Sequence, residues 1–124
     1  MTNYQWCHFV TPSGDYKPWG EKAIQKWTEW DTAFKVPYSP HVSIGWDSNP
    51  RFPVQKQDLI TNNKPEYFQY YLQKAKAYVD QHPDQPRLIT INAWNEWAEG
   101  SFLEPDRQNG FGYLEAVKKV FTAP

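Results

Sequence analysis

One arrangement recurs three times along this chain: a short apolar segment, a polar loop, then a longer stretch whose apolar residues return every three or four positions. The first spacing suits a strand and the second an amphipathic helix, so the repeat reads as strand, loop, helix. Strands separated by helices pair in parallel, because the crossover returns the chain to the same end of the sheet. This pattern predicts an α/β fold. In the first unit, Tyr4 to Val10 reads as a strand closed by the turn-rich Thr11–Asp15, and a helix follows from Gly20 to Lys35 on the stripe Ala23, Trp27, Trp30 and Phe34. The second unit has an irregular strand over Val36 to Ile44, disturbed by Pro37 and Pro40, a loop over Gly45 to Arg51, and a helix from Pro65 to His82 capped by Asn63. That helix buries Phe68, Tyr71, Leu72, Ala75, Tyr78 and Val79. In the third, Arg87 to Ala93 reads as a strand covered on both faces, Trp94 to Gly100 leads away from it, and Gly112 to Phe121 forms a helix on Tyr113, Leu114, Val117, Val120 and Phe121.

Three units do not close a (β/α)8 barrel, which takes eight and about 250 residues. With 124 residues the chain is therefore either an open three-layer α/β domain or the C-terminal part of such a barrel, one partial domain spanning positions 1–124. Either way, ligands bind at the carboxyl ends of the strands. Lys and Arg number 13 against 14 Asp and Glu, and the absence of a basic stripe removes nucleic acid from the expected partners. The single cysteine, Cys7, excludes an internal disulfide and a cysteine-based zinc cluster. No apolar run approaches the roughly 20 residues of a membrane span, and Met1 onward lacks the layout of a signal peptide, so the chain reads as soluble, with its compartment open. Its 7 Trp, 8 Tyr and 7 Phe suit both a ring-rich core and stacking on sugar rings.

The chemistry gathers at the strand ends. Glu96 and Glu99 stand three apart after the third strand, preceded by Asn95 and followed by Gly100. In a turn-like segment residues at that spacing share a side, and two carboxyls on one side of a cleft are the minimum for working on a glycosidic bond. The plainer alternative is a pair of acids placed for a helix dipole or for solvent. Asp47 and Arg51, in the loop after the second strand, could grip sugar hydroxyls or pair with each other. Trp46 and Trp97 are candidates for stacking on a sugar, while Trp94 reads as packing. His8 and His41 read as locally bonded core histidines, Cys7 as a small buried hydrophobe, and Glu104 and Asp106 as loop residues. No metal site and no cofactor is expected.

The block Ile91-Asn92-Ala93-Trp94-Asn95-Glu96-Trp97-Ala98-Glu99-Gly100-Ser101-Phe102-Leu103-Glu104-Pro105-Asp106 resembles the end of the last barrel strand in the WbsX-type, glycoside hydrolase family 99-like domain of bacterial carbohydrate-active proteins. Val42 to Phe52, with Gly45-Trp46-Asp47, resembles that family's tryptophan-aspartate loop, and Gly110 to Ala116 its final helix start. The resemblance covers the chain from Tyr38 onward and, more loosely, the first helix. It implies the last three βα units of a (β/α)8 barrel. It also implies roles: Glu96 as the base that takes a proton from a sugar 2-hydroxyl, and Glu99 as acid/base at the glycosidic oxygen, as in the related endo-acting α-mannosidases. Ala98 stands where those hydrolases commonly have His, and the family has also been labelled as glycosyltransferases of surface-polysaccharide synthesis.

The expected function is thus that of a carbohydrate-active domain acting on an oligosaccharide or polysaccharide by paired glutamates, with glycosyl transfer or non-catalytic sugar binding as alternatives. A third reading, an interaction module with an all-core set of aromatics, lacks a sugar ligand altogether. An incomplete barrel leaves strand edges open, which predicts self-association, and it predicts negligible turnover by the 124-residue chain alone.

Overall fold

The computed structural model describes residues 1–122 and is an α/β arrangement of three helices with three short strand pairs. In chain order the strands are β1 (Gly14–Asp15), β2 (His41–Ser43), β3 (Ile60–Thr61), β4 (Thr90–Asn92), β5 (Asn95–Glu96) and β6 (Ser101–Phe102). The helices are α1 (Tyr16–Ala33), α2 (Pro65–Gln81) and α3 (Gly112–Phe121). β2 and β4 run parallel in the register His41↔Thr90, Val42↔Ile91 and Ser43↔Asn92, with α2 between them in sequence, a βαβ unit. Bonds from Thr90 N–H to the Pro40 carbonyl (3.0 Å) and from Ile44 N–H to the Asn92 carbonyl (3.0 Å) extend the pairing at both ends. β1 and β3 form a second parallel pair, and β5 and β6 an antiparallel hairpin. No helix among the described residues is long and apolar enough to cross a membrane.

The expected first strand is not one. Around Trp6–His8 the chain turns as a 3-10 helix, because its polar groups find other partners than a ladder. The Trp6 N–H is shared between the Gln5 side-chain oxygen (2.8 Å) and Ser43 Oγ (2.9 Å), and the Trp6 indole donates to the His41 carbonyl (2.8 Å). α1 starts earlier than predicted, at Tyr16, where the Asp15 carboxylate accepts the Lys17 N–H (3.1 Å). Pro18 falls in the first turn, where a missing N–H costs no helical bond. The helix ends at Ala33, so Phe34 leaves the buried stripe and is exposed. Lys64, not Asn63, occupies the N-cap of α2, and it caps with no side-chain bond. The Asn63 carbonyl instead accepts the Tyr113 hydroxyl of α3.

The core is a cluster of rings. Trp6 meets Trp19 edge to face at 5.2 Å and Tyr71 at 5.4 Å, with Tyr16 stacked alongside. Fully buried rings with polar tips need partners. Around Trp6 they have them: Trp19 donates to the Val10 carbonyl (2.9 Å), Tyr16 to the Ser43 carbonyl (2.6 Å) and Tyr71 to the Lys17 carbonyl (2.6 Å), whereas the Trp27 indole N–H, farther along α1, is buried with none among the described residues. Side chains alternate along β2: Val42 joins this apolar cluster, while His41 and Ser43 face a polar layer with Thr90, Asn92 and Gln5. His41, nearly wholly buried, contacts Thr90 Oγ1 (2.8 Å) and Ser43 Oγ (3.1 Å), as a locally bonded core histidine should, and burial depresses its pKa to about 4. His8 departs from that expectation: it is exposed and stacks on Tyr4.

The third strand is shorter than Arg87 to Ala93 and is not covered on both faces. Leu88 is half exposed, Ile89 and Ile91 are only partly buried, and among the described residues β4 has no strand neighbour other than β2. Leu88 and Phe121, both exposed, line one shallow cleft with Val79 and Ile89 and leave an apolar patch there.

Candidate active site

Two loops leave the carboxyl ends of the parallel pair, and the chain sews them together. After β2, Asp47 Oδ1 accepts both the N–H (2.9 Å) and the side-chain amide (2.8 Å) of Asn49, which shapes the 3-10 turn Asn49–Arg51. After β4, the β5–β6 hairpin reverses through a second 3-10 turn, Trp97–Glu99, and Gly100. Gly100 has φ +60°, and a Cβ there would lie 3.2 Å from the Asp47 Cβ and 3.3 Å from its backbone nitrogen. Glycine is thus required twice over, by conformation and by space. Its counterpart Gly45 has no room for a side chain either, since a Cβ would come 2.5 Å from the Gly100 carbonyl oxygen. This contact lets Asp47 N–H reach the Glu99 carbonyl (2.7 Å) and Gly45 N–H reach Ser101 Oγ (3.3 Å), whose hydroxyl donates to the Asn92 carbonyl (2.8 Å).

The consequence is a convergence of charge. Arg51 spans the two loops, with Nη1 2.7 Å from Glu99 Oε1 and Nη2 3.4 Å from Glu96 Oε2. One guanidinium therefore touches both carboxylates, which places them on one side of the hairpin turn as the spacing predicted. The expected alternative of an Asp47–Arg51 pair does not form: Asp47 Oδ1 turns back to Asn49, and Arg51 reaches across to the glutamates. Glu96 is partly exposed and also accepts the Tyr4 hydroxyl (3.3 Å). Burial, followed by the nearby Glu96 charge, raises the Tyr4 pKa. Glu99 differs: its side chain is 10% exposed, and its Oε2 is buried without a hydrogen-bond partner. Beside it lies Cys7, half-buried, whose thiol is pushed up to about 12 by burial and then by the Glu99 charge.

The aromatic candidates separate. Trp97 is exposed, stacks on Phe102 with centroids 3.7 Å apart and donates its indole N–H to Glu104 (2.6 Å), so one of its faces is already covered. Trp46 packs against the core and keeps a buried indole N–H with no partner. Trp94, expected to pack, is instead 54% exposed, because the hairpin turns away from the core immediately after β4. Asn95 is exposed at the start of the hairpin, and Asp106 shapes its own turn by accepting the Gln108 and Asn109 N–H groups (2.6 Å each). Beneath the acids lies a support that only the folded chain reveals: the buried Gln5 amide donates to Asn92 Oδ1 (2.7 Å) and to the Gly45 carbonyl (3.3 Å), tying both loop origins to the N-terminal segment. Nothing in the local sequence around Gln5 or Tyr4 signals these contacts, which span 87 and 92 positions.

Two proteins of Xanthomonas campestris pv. campestris, from strains B100 and ATCC 33913, both described as "Uncharacterized protein WxcX", are 34% identical to the chain over 83 residues. That match covers 67% of this chain, which spans about 12% of the length of these curated relatives. No solved structure matches it. The family described as "Glycosyltransferase WbsX" matches residues 4–117, a stretch that takes in the N-terminal support, both sewn loops and most of α3. The chain belongs to this WbsX family.

Proposed function

We propose that this chain supplies the acid/base centre of a carbohydrate-active enzyme domain, built as the last three βα units of a (β/α)8 barrel. The observation that carries the reading is the single Arg51 guanidinium in contact with both Glu96 and Glu99 at the carboxyl end of a parallel strand pair. In barrel enzymes that end bears the reacting groups. The polar layer of Gln5, His41, Ser43, Thr90 and Asn92 then corresponds to the barrel interior, and the open edge of β4 to the place of the first barrel strand, or of a second copy. Glu99 takes the role that the resemblance gives it, passing a proton to a glycosidic oxygen as the bond to C1 breaks, and its buried Oε2 has no competing partner among the described residues. Glu96, more open and held by Tyr4 and Arg51, takes the proton of the sugar 2-hydroxyl as that oxygen closes on C1; the incoming hydroxyl then opens the C1–O2 bond, gives its own proton to Glu99, and the proton on Glu96 returns to O2. Arg51 acts as a positioning residue for the pair, and Asn95 and Trp97 contact the saccharide; Asp47 holds the loop.

The same pair serves hydrolysis and transfer, which differ in whether water or a sugar hydroxyl accepts the glycosyl group. The family description, a glycosyltransferase, favours transfer. The test is turnover of α-mannosides and of activated aryl glycosides by a complete barrel that includes this chain. Glu99→Gln is expected to abolish activity on substrates with poor leaving groups and to spare aryl glycosides more, since these need less protonation. Full activity of both Glu96→Gln and Glu99→Gln would sink the catalytic reading.

A further inference from the structure

On the far side of the Asp47–Gly100 seam lies a cleft of about 390 Å³. It falls within the range of roughly 300–1,000 Å³ typical of small-molecule sites. Trp46, Phe102 and Tyr113 give it an aromatic floor, and Asn63, Arg107 and Gln108 line it with polar groups. Among the described residues, no hydrogen bond or ion pair engages the side chains of Asn63, Arg107 or Gln108. Asp47 Oδ2 is likewise free, since both bonds to that carboxylate fall on Oδ1. Rings flanked by uncommitted amide, guanidinium and carboxylate groups match the two characters of a pyranose, an apolar face and a rim of hydroxyls that both donate and accept. An anion fits less well, because the carboxylates of Asp47 and Asp106 line the cleft against the single guanidinium of Arg107.

We propose that this cleft is a separate subsite for a neutral pyranose residue, adjoining the Glu96–Glu99 centre through the shared wall of Asp47 and Gly100. The choice of ligand class rests on the carbohydrate reading above; the existence of the site rests on the cleft itself. Its geometry suits a sugar unit next to, rather than at, the bond being worked on.

The test uses the ¹⁵N-labelled 124-residue chain, titrated with methyl α-D-mannopyranoside, methyl α-D-glucopyranoside and, separately, inorganic phosphate. The readout is the Trp46 indole N–H resonance, assigned through Trp46→Phe. We expect a saturable shift with at least one pyranoside, weakened at least tenfold by Arg107→Ala combined with Gln108→Ala. Both positions are exposed, so a dispersed amide spectrum is expected to persist in the double variant. Glu99→Gln is expected to change the affinity less than twofold. No saturable shift with either pyranoside, a response to phosphate in their place, or a response unaltered by the double variant would each overturn the proposal. A sugar response abolished by Glu99→Gln but untouched by the double variant would move the ligand to the acids, overturning the subsite and leaving the paired-acid reading intact. Conversely, turnover indifferent to both glutamate variants removes that reading without altering this titration.

Discussion

Arg51 makes two contacts of unequal kind, and a double-mutant cycle can measure the inequality. Its 2.7 Å bond goes to a carboxylate whose side chain is only 10% exposed, and a hydrogen bond of that charged type contributes about 1.5–3 kcal/mol. The 3.4 Å approach to Glu96 joins two partly exposed groups beyond ordinary hydrogen-bond length, and such pairs contribute about 0–1 kcal/mol. Arg51→Met removes both and leaves the Glu99 carboxylate in the protein without a partner on either oxygen. A fully buried broken pair costs about 3–5 kcal/mol, and the 46% exposure of the Arg51 side chain lowers the expectation to about 2–3 kcal/mol. For a chain of this size that corresponds to a fall in Tm of about 8–12 °C. Urea and thermal unfolding, followed by tryptophan fluorescence, should be run on Arg51→Met, Glu99→Gln, Glu96→Gln and the two double variants. The coupling of Arg51 to Glu99 should be about 1.5–3 kcal/mol and its coupling to Glu96 below about 1 kcal/mol. A Glu99 coupling under about 0.5 kcal/mol, or equal couplings for the two acids, would refute the claim that Glu99 is the anchored member of the pair.

Gly100→Ala should destabilise by about 2 kcal/mol or more, since the left-handed backbone costs roughly 1–2 kcal/mol for alanine and the new methyl meets Asp47 at 3.2 Å; denaturant midpoints report it, and a loss under about 0.5 kcal/mol would show that the seam yields freely. His41, depressed from 6.5 to about 4 by burial and by the nearby His8, stays neutral in the fold while the unfolded chain takes up a proton, so stability should fall as pH drops from 6.5 to 4, by about 3 kcal/mol in all. His41→Asn should flatten that slope. His82 behaves oppositely: the Tyr78 carbonyl and then Asp31 outweigh burial and raise its pKa, so its contribution is complete below pH 6.5 and is lost as pH rises through the folded value, which His82→Asn should abolish. Sedimentation should show concentration-dependent association through the patch of Leu88 and Phe121, weakened by Leu88→Lys; a monomer at every concentration argues against it.

Periodicity located all three helices, because each has a buried stripe that repeats at helical spacing and little else competes for it. The strands were less legible. His41–Ser43 and Thr90–Asn92 lie inside the predicted segments, but their ends are fixed by pairing with each other and not by local pattern. Tyr4 to Val10 looks like a strand to any rule based on composition, yet Gln5 and Ser43 draw off the Trp6 N–H. At the site, the acids' shared side followed from a three-residue spacing and a glycine exit. Arg51 stands out in the sequence as a residue that grips a sugar or pairs with Asp47, but its contact with the glutamates does not, since Asp47 is four positions away and Glu99 forty-eight. Sequence distance conceals the cleft for the same reason: Asn63, Trp46 and Arg107 come together only when the second loop is docked on the third.

The seam between Gly45–Asp47 and Glu99–Ser101 also bears on how this centre could be moved to another scaffold. The hairpin that carries Glu96 and Glu99 is not a portable cassette. Transplanted alone, it would leave the Glu99 carbonyl without the Asp47 N–H, Ser101 Oγ without the Gly45 N–H, and the buried Glu99 carboxylate without Arg51. The smallest piece that keeps the acids in place is discontinuous: both loops, the two strand ends from which they rise, and Gln5, whose amide ties Gly45 to Asn92. A host barrel would have to accept all of it at once, glycine facing glycine, or receive two glutamates with nothing to hold them side by side.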